Sequence, residues 1–198
     1  MTRRRTLAAA VVVVAALLAG CASGPSQEER VAAAIEAYDT VTDLTHEDTE
    51  LVSETFPDLD LALSDPDDSG TWHSCGDASY SWQYDSPETA KWGNGWVYVL
   101  TPREPTAPLV APLAQTYVEH GWTITADYLT EHPAELILAK DGYRLSINGT
   151  DQDYLDRQPA DDARLTVYFT SPCLCSPANL TEWDRMDPHD FDLPSGPG

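Results

Sequence analysis

Four cysteines, at positions 21, 75, 173 and 175, are the residues of this sequence with the most chemistry open to them. Cys21 follows the small residues Ala19 and Gly20 at the end of an apolar run. A thiol placed there can accept a diacylglyceryl group and become the first residue of a processed chain, a role no other residue type would fill. The remaining three thiols have alternatives. Outside a reducing cytosol two of them should pair; Cys75 with Cys173 and Cys75 with Cys175 both stay open, whereas Cys173 with Cys175 is strained at one intervening residue. The third cysteine is then an odd thiol. Together with His73 the three also offer a nitrogen and sulfurs that zinc accepts. Spacing counts against zinc, because His73-x-Cys75 and Cys173-x-Cys175 hold one intervening residue where structural sites use roughly two to four.

The surroundings of Cys21 give it a context. Arg3, Arg4 and Arg5 precede an unbroken apolar run from Leu7 to Ala19. The arginines favour the anionic cytoplasmic surface, and the run is too short for a spanning helix, which needs about 20 residues. Residues 1–20 therefore read as a signal peptide. The end of that segment, Leu18-Ala19-Gly20-Cys21, resembles the bacterial lipobox, which implies cleavage before Cys21 and attachment of acyl chains such as palmitate. Two or more chains anchor stably where one is marginal. The partner this implies is the outer face of the cytoplasmic membrane, reached through lipid on Cys21, with residues 21–27 as a lipidated tether.

Charge narrows the remaining function classes. The chain carries 33 acidic and 11 basic residues, a formal net charge of −22. Without Arg3, Arg4 and Arg5, eight basic residues face the same 33 acids, a charge of −25. Nucleic acid is excluded as a partner, since phosphate neutralisation needs clustered Lys and Arg. The same charge should hold the domain off an anionic bilayer surface.

Motifs that would nominate a catalyst do not appear. There is no Gly-x-Ser-x-Gly elbow, no phosphate-cradling glycine loop and no paired-histidine zinc helix. His46, His120, His132 and His189 fall at scattered polar or helix-end positions. Asp65-Pro66-Asp67-Asp68-Ser69-Gly70 opens like a calcium loop, but its twelfth position is Gly76 rather than Glu. No resident metal or cofactor is expected, and no catalytic residue can be nominated among so many carboxylates.

Aromatic residues are dense from Trp72 to Tyr98. Trp92 stands out, because Lys91-Trp92-Gly93-Asn94-Gly95 reads as a loop tip. An exposed indole there could stack on a cell-wall sugar or enter an envelope protein, so Trp92 is the candidate contact with a ligand or partner, beside the alternative that it is buried.

The elements that must position these residues follow from periodicity. From Glu28, Val31, Ala34, Ile35, Tyr38 and Val41 recur at helical spacing, and acidic residues at the start suit the helix dipole. A helical stretch around Glu47 to Phe56 continues this N-terminal helix, and Pro57 to Gly70 reads as an exposed loop. Tyr80, Trp82 and Tyr84 alternate with polar residues as in a half-buried strand, and Trp96 to Leu100 forms another. A mid-chain helix runs to about His120, with Leu109, Leu113, Tyr117 and Val118 buried and Pro112 confined to its first turn. Strands follow over Trp122 to Tyr128, Glu135 to Lys140, Tyr143 to Asn148 and Arg164 to Thr170, with Asp141-Gly142 as a hairpin turn. The fold class is α+β: an antiparallel sheet with the N-terminal and mid-chain helices packed on one face, a single domain over 28–175, and a mobile tail over 176–198.

This layout resembles the LppA-like lipoproteins of actinobacteria. The shared features are the lipobox, the long N-terminal helix, Thr71-Trp72 shortly before Cys75, a helix ending near a glycine, Asp141-Gly142-Tyr143 opening a strand, and a late cysteine after a final strand. They cover residues 28 to 175. The resemblance implies a Cys75–Cys173 disulfide and leaves Cys175 as an extra thiol. It implies no activity. The expected function is therefore a non-catalytic binding or structural module of the cell envelope, with an extracytoplasmic hydrolase or metal-dependent enzyme as the alternative.

Overall fold

Period-2 alternation is strongest in the last third of the sequence, and there the sheet is most regular. A computed structural model describes residues 24–64, 70–75, 89–100, 105–131, 133–150 and 163–177. Its elements are α1 (Gln27–Thr55), β1 (Leu61–Ser64), β2 (Thr71–Ser74), β3 (Thr89–Leu100), α2 (Ala107–Glu119), β4 (Thr123–Tyr128), β5 (Ala134–Lys140), β6 (Tyr143–Thr150), β7 (Arg164–Thr170) and β8 (Leu174–Cys175). The signal segment, the calcium-like loop at 65–69, the strand expected around Trp82, and residues 178–198 of the tail lie outside the described residues. Ser176 and Pro177, where the tail was expected to begin, are buried.

All strand pairs are antiparallel, in the order β1-β3-β7-β6-β5-β4, with β2 and β8 also paired to β3. The architecture is the expected α+β one, an eight-stranded sheet with two helices. Leu136 and Leu138 of β5, Leu145 and Ile147 of β6, and Leu165, Val167 and Phe169 of β7 alternate inward and form one core with Val31, Val41 and Val52 of α1 and Val110 and Leu113 of α2. Asp141 and Gly142 adopt φ of 51° and 87°, the left-handed pair a two-residue hairpin turn demands, and they set the register Lys140↔Tyr143.

α1 lies across β3 and β7, α2 across β5 and β6, and the helices touch each other. Ser26 caps α1: its hydroxyl accepts the Glu29 amide at 3.3 Å while the Glu29 carboxylate accepts the Ser26 amide at 2.7 Å. That reciprocal arrangement satisfies two amides that a helix start otherwise leaves open.

The stretch from Glu47 continues the N-terminal helix as expected, within the 29-residue α1, because the buried stripe runs unbroken through Val41, Thr45, Asp48 and Val52. Other expectations are corrected. Within the expected loop 57–70, Leu61–Ser64 form an edge strand on β3. The buried stripe of α2 is rotated to Val110, Leu113, Ala114 and Tyr117, since the helix must address β5 and α1 together. Pro112 lies beyond the first turn of α2, on its exposed side. The carbonyl it deprives of an amide, that of the exposed Pro108, can be met by water. Among the described residues no helix is long and apolar enough to cross a membrane.

Candidate functional site

Among the described residues, β3 receives α1 on one face and no helix on the other. Alternation along it sends Ala90, Trp92, Trp96, Tyr98 and Leu100 toward the helices, and Lys91, Gly93, Gly95, Val97 and Val99 away from them.

On the helix side the expectation for Trp92 is corrected. Trp92 is a strand residue, 3% exposed, its ring centroid 5.0 Å from that of Tyr38 and 5.3 Å from that of Trp72. Its amide donates to the Ser171 hydroxyl at 2.9 Å, and its carbonyl accepts the Ser171 amide at 2.8 Å. An indole so enclosed cannot meet a sugar or a partner. Its glycine neighbours, read from sequence as turn residues, are present for another reason: the Tyr168 ring lies across them. A Cβ on Gly93 would stand 2.4 Å from the Tyr168 hydroxyl, and one on Gly95 would stand 2.1 Å from the Val167 carbonyl oxygen.

Deeper on the same side is the carboxyl group most perturbed among the described residues. Asp48, 0% exposed, accepts the Tyr98 hydroxyl at 2.5 Å on Oδ2 and the Tyr117 hydroxyl on Oδ1. Loss of hydration raises its pKa to about 6, against the opposing pull of the two phenol hydrogen bonds. Burial and the neighbouring carboxylate push both phenols upward. Nearby, the Trp96 indole donates to the Thr45 carbonyl at 2.7 Å. A shifted acid in an open cleft would nominate a general acid or base. Asp48 is sealed between α1, α2 and β3, so its chemistry is confined to joining those three elements.

The helix-free face holds a different set. The Tyr168 hydroxyl and His73 Nε2 are 2.8 Å apart, bringing β7 and β2 together over the glycines of β3. Burial raises the Tyr168 pKa to about 12, so its hydroxyl keeps its proton at neutral pH. His73 stands opposite Lys91 in the β2–β3 register, and Gly93, Thr170 and Arg144 follow one another across β3, β7 and β6. Lys91 is half-buried, and its pKa is lowered by burial and by the Arg144 charge.

Cys75 and Cys173 are joined in a disulfide, Cα to Cα 5.9 Å, with a sequence separation of 98. It is the pairing the family resemblance implied. It ties the end of β2 to the segment between β7 and β8, and the Cys75 amide donates to the Thr89 carbonyl at 3.3 Å. No described cysteine is free, so the odd thiol expected at Cys175 is not found. The zinc alternative loses its thiolates to the disulfide, and among the described residues no three His, Cys, Asp or Glu side chains converge. Cys21 lies outside the described residues.

Sequence reasoning missed both clusters. Asp48 sits in the acidic run His46-Glu47-Asp48-Thr49-Glu50 and looks like any surface acid. Its helical spacing from Val41, Thr45 and Val52 was the available signal. For Lys91 and Arg144, the signal was the scarcity of cations in so acidic a chain. No protein-family model, no curated protein and no solved structure matches the chain.

Proposed function

We propose that this chain is an extracytoplasmic lipoprotein, similar to the LppA-like lipoproteins of actinobacteria. In this reading it is cleaved before Cys21, held on the outer face of the cell membrane by lipid on that residue, and acts as a non-catalytic binding or structural module of the envelope. The observation that supports it best is the Cys75–Cys173 disulfide. Structural disulfides persist in oxidising compartments and are rare in the cytosol, which agrees with the export signal read from residues 1–20. The helix-free sheet face takes the place of Trp92 as the surface offered to a ligand. Among the described residues the strongly shifted carboxyl group, that of Asp48, is sealed rather than open to a substrate.

Intact mass of the membrane-extracted protein, before and after reduction with alkylation, tests the proposal. The expected species begins at Cys21, carries a diacylglyceryl adduct and gains the alkyl groups of Cys75 and Cys173 only after reduction. An uncleaved chain or a cleaved chain without lipid would overturn it.

A further inference from the structure

The distribution of positive charge is uneven in a way the composition hides. The described residues include five basic ones, Arg30, Lys91, Lys140, Arg144 and Arg164. By strand alternation Lys91, Arg144 and Arg164 all lie on the helix-free face. The carboxylate that the described strands place there, Glu135, accepts the Ser146 hydroxyl at 2.5 Å. Lys91 stands two residues along β3 from Gly93, and Gly93, Thr170 and Arg144 follow one another across β3, β7 and β6, so the Arg144 charge disfavours that of Lys91; neither makes an ion pair or hydrogen bond among the described residues. In a chain with 33 carboxylates and 11 cations, two cations on one face with no counter-ion among the described residues are an anomaly. Like charges held together cost free energy that a bound anion would return.

The neighbouring groups indicate which anion. Thr170 separates Gly93 of β3 from Arg144 of β6 in the register, which brings a hydroxyl into the row. Tyr168 and His73 add a second hydrogen-bonding pair beside Lys91. A fork of guanidinium donors, a point charge and flanking hydroxyls suit tetrahedral oxygens. Two positive charges match a phosphate monoester, which carries about −1.5 to −2 at neutral pH; a carboxylate would leave one of them unmet. The rest of the acidic surface repels a long polyanion, so the phosphate belongs to a compact ligand.

We propose that the end of the helix-free face formed by Lys91 and Arg144, with Thr170, Tyr168 and His73 around them, binds the phosphate monoester group of a compact ligand. The proposal names a ligand class for the binding module above and rests on that reading for its biological use. Its test is independent of lipidation.

The probe is inorganic phosphate, titrated at constant ionic strength into the isotope-labelled full chain in detergent, with acetate as comparator. Saturable amide shifts confined to Lys91, Gly93, Thr170 and Arg144 are expected. Lys91→Met and Arg144→Gln should each weaken binding roughly tenfold or more, the scale of one charge-assisted hydrogen bond. Arg164→Gln, at the far end of the face, should leave binding unchanged and controls for general loss of charge. Shifts that never saturate, acetate binding as tight as phosphate, or undiminished binding in Lys91→Met and Arg144→Gln would overturn the site. A chain that proves to lack lipid yet binds phosphate here would remove the anchoring proposal and leave this one standing.

Discussion

The two faces of the sheet handle charge in opposite ways. On the helix side one carboxyl group, Asp48, is fully enclosed and held by two tyrosine hydroxyls. On the free side two cations, Lys91 and Arg144, stand together without a counter-ion among the described residues. The enclosed acid has what a buried polar group requires, hydrogen-bond partners for its oxygens, and it fastens α1 to α2 and β3. The free cations have no such internal role. In a protein this acidic, carboxylates on the surface carry little information. The informative charges are those whose environment differs from the average, one by burial and the others by sign.

The contrast between the faces is open to experiment, beginning with the constraint that both share. Replacing Cys75 and Cys173 by serine removes a cross-link spanning 98 residues and should cost roughly 4–5 kcal/mol of unfolding free energy in the chain-entropy account, read from denaturant midpoints. A loss near zero would mean that β2 and β8 hold their places on β3 without it.

The next effect belongs to the enclosed face. Asp48 has a folded pKa of about 6 against an ordinary value of 3.8, so the folded state holds the proton more tightly than the unfolded one. Its contribution is fully present below about pH 4 and is lost as pH rises through 6. The shift corresponds to about 3 kcal/mol. Asp48→Asn keeps an acceptor for one tyrosine and offers a donor to the other, and it cannot ionise. The stability of the wild type relative to Asp48→Asn should therefore fall by about 3 kcal/mol between pH 4 and pH 8. Parallel pH profiles for the two proteins would show that Asp48 is not enclosed as described.

Between the faces lie the glycines of β3. Gly95→Ala drives a methyl group into the Val167 backbone and should cost about 1–3 kcal/mol. Gly93→Ala meets mainly the tip of the Tyr168 side chain, which can move, and should cost less. Equal thermal midpoints for the two variants would remove Tyr168 from its position over β3.

The smallest effect is expected on the free face. Lys91→Met should leave stability within about 0.5 kcal/mol of wild type, because it deletes no hydrogen bond and relieves the repulsion from Arg144. A large loss would show that Lys91 has a structural partner and would erase the contrast between the faces.

Much of the scaffold was legible because its signals are local. Helical spacing from Val31 to Val41 gave the start of α1, alternation gave β5, β6 and β7, and Asp141-Gly142 gave the hairpin. Signals failed where one local pattern admits two environments. Gly93 and Gly95 beside Trp92 have the composition of a turn, yet they are a strand floor beneath a ring arriving from β7, 75 residues from Gly93 along the chain. The expected loop from Pro57 hid an edge strand, since four residues carry too little periodicity to distinguish the two.

The sequence by itself determined the local conformations, because capping, turn geometry and side-chain period act over a few residues. Its charge imbalance likewise excluded nucleic acid without reference to any fold. The residues alone left the cysteine pairing open between Cys173 and Cys175, and the resemblance to a family, rather than the spacing, favoured Cys173. The packing of distant elements places Trp92 and Asp48 inside and Lys91 and Arg144 on the opposite face. Burial of a side chain and proximity of two charges depend on which distant strands and helices stack upon one another, and no window of neighbouring residues contains that information.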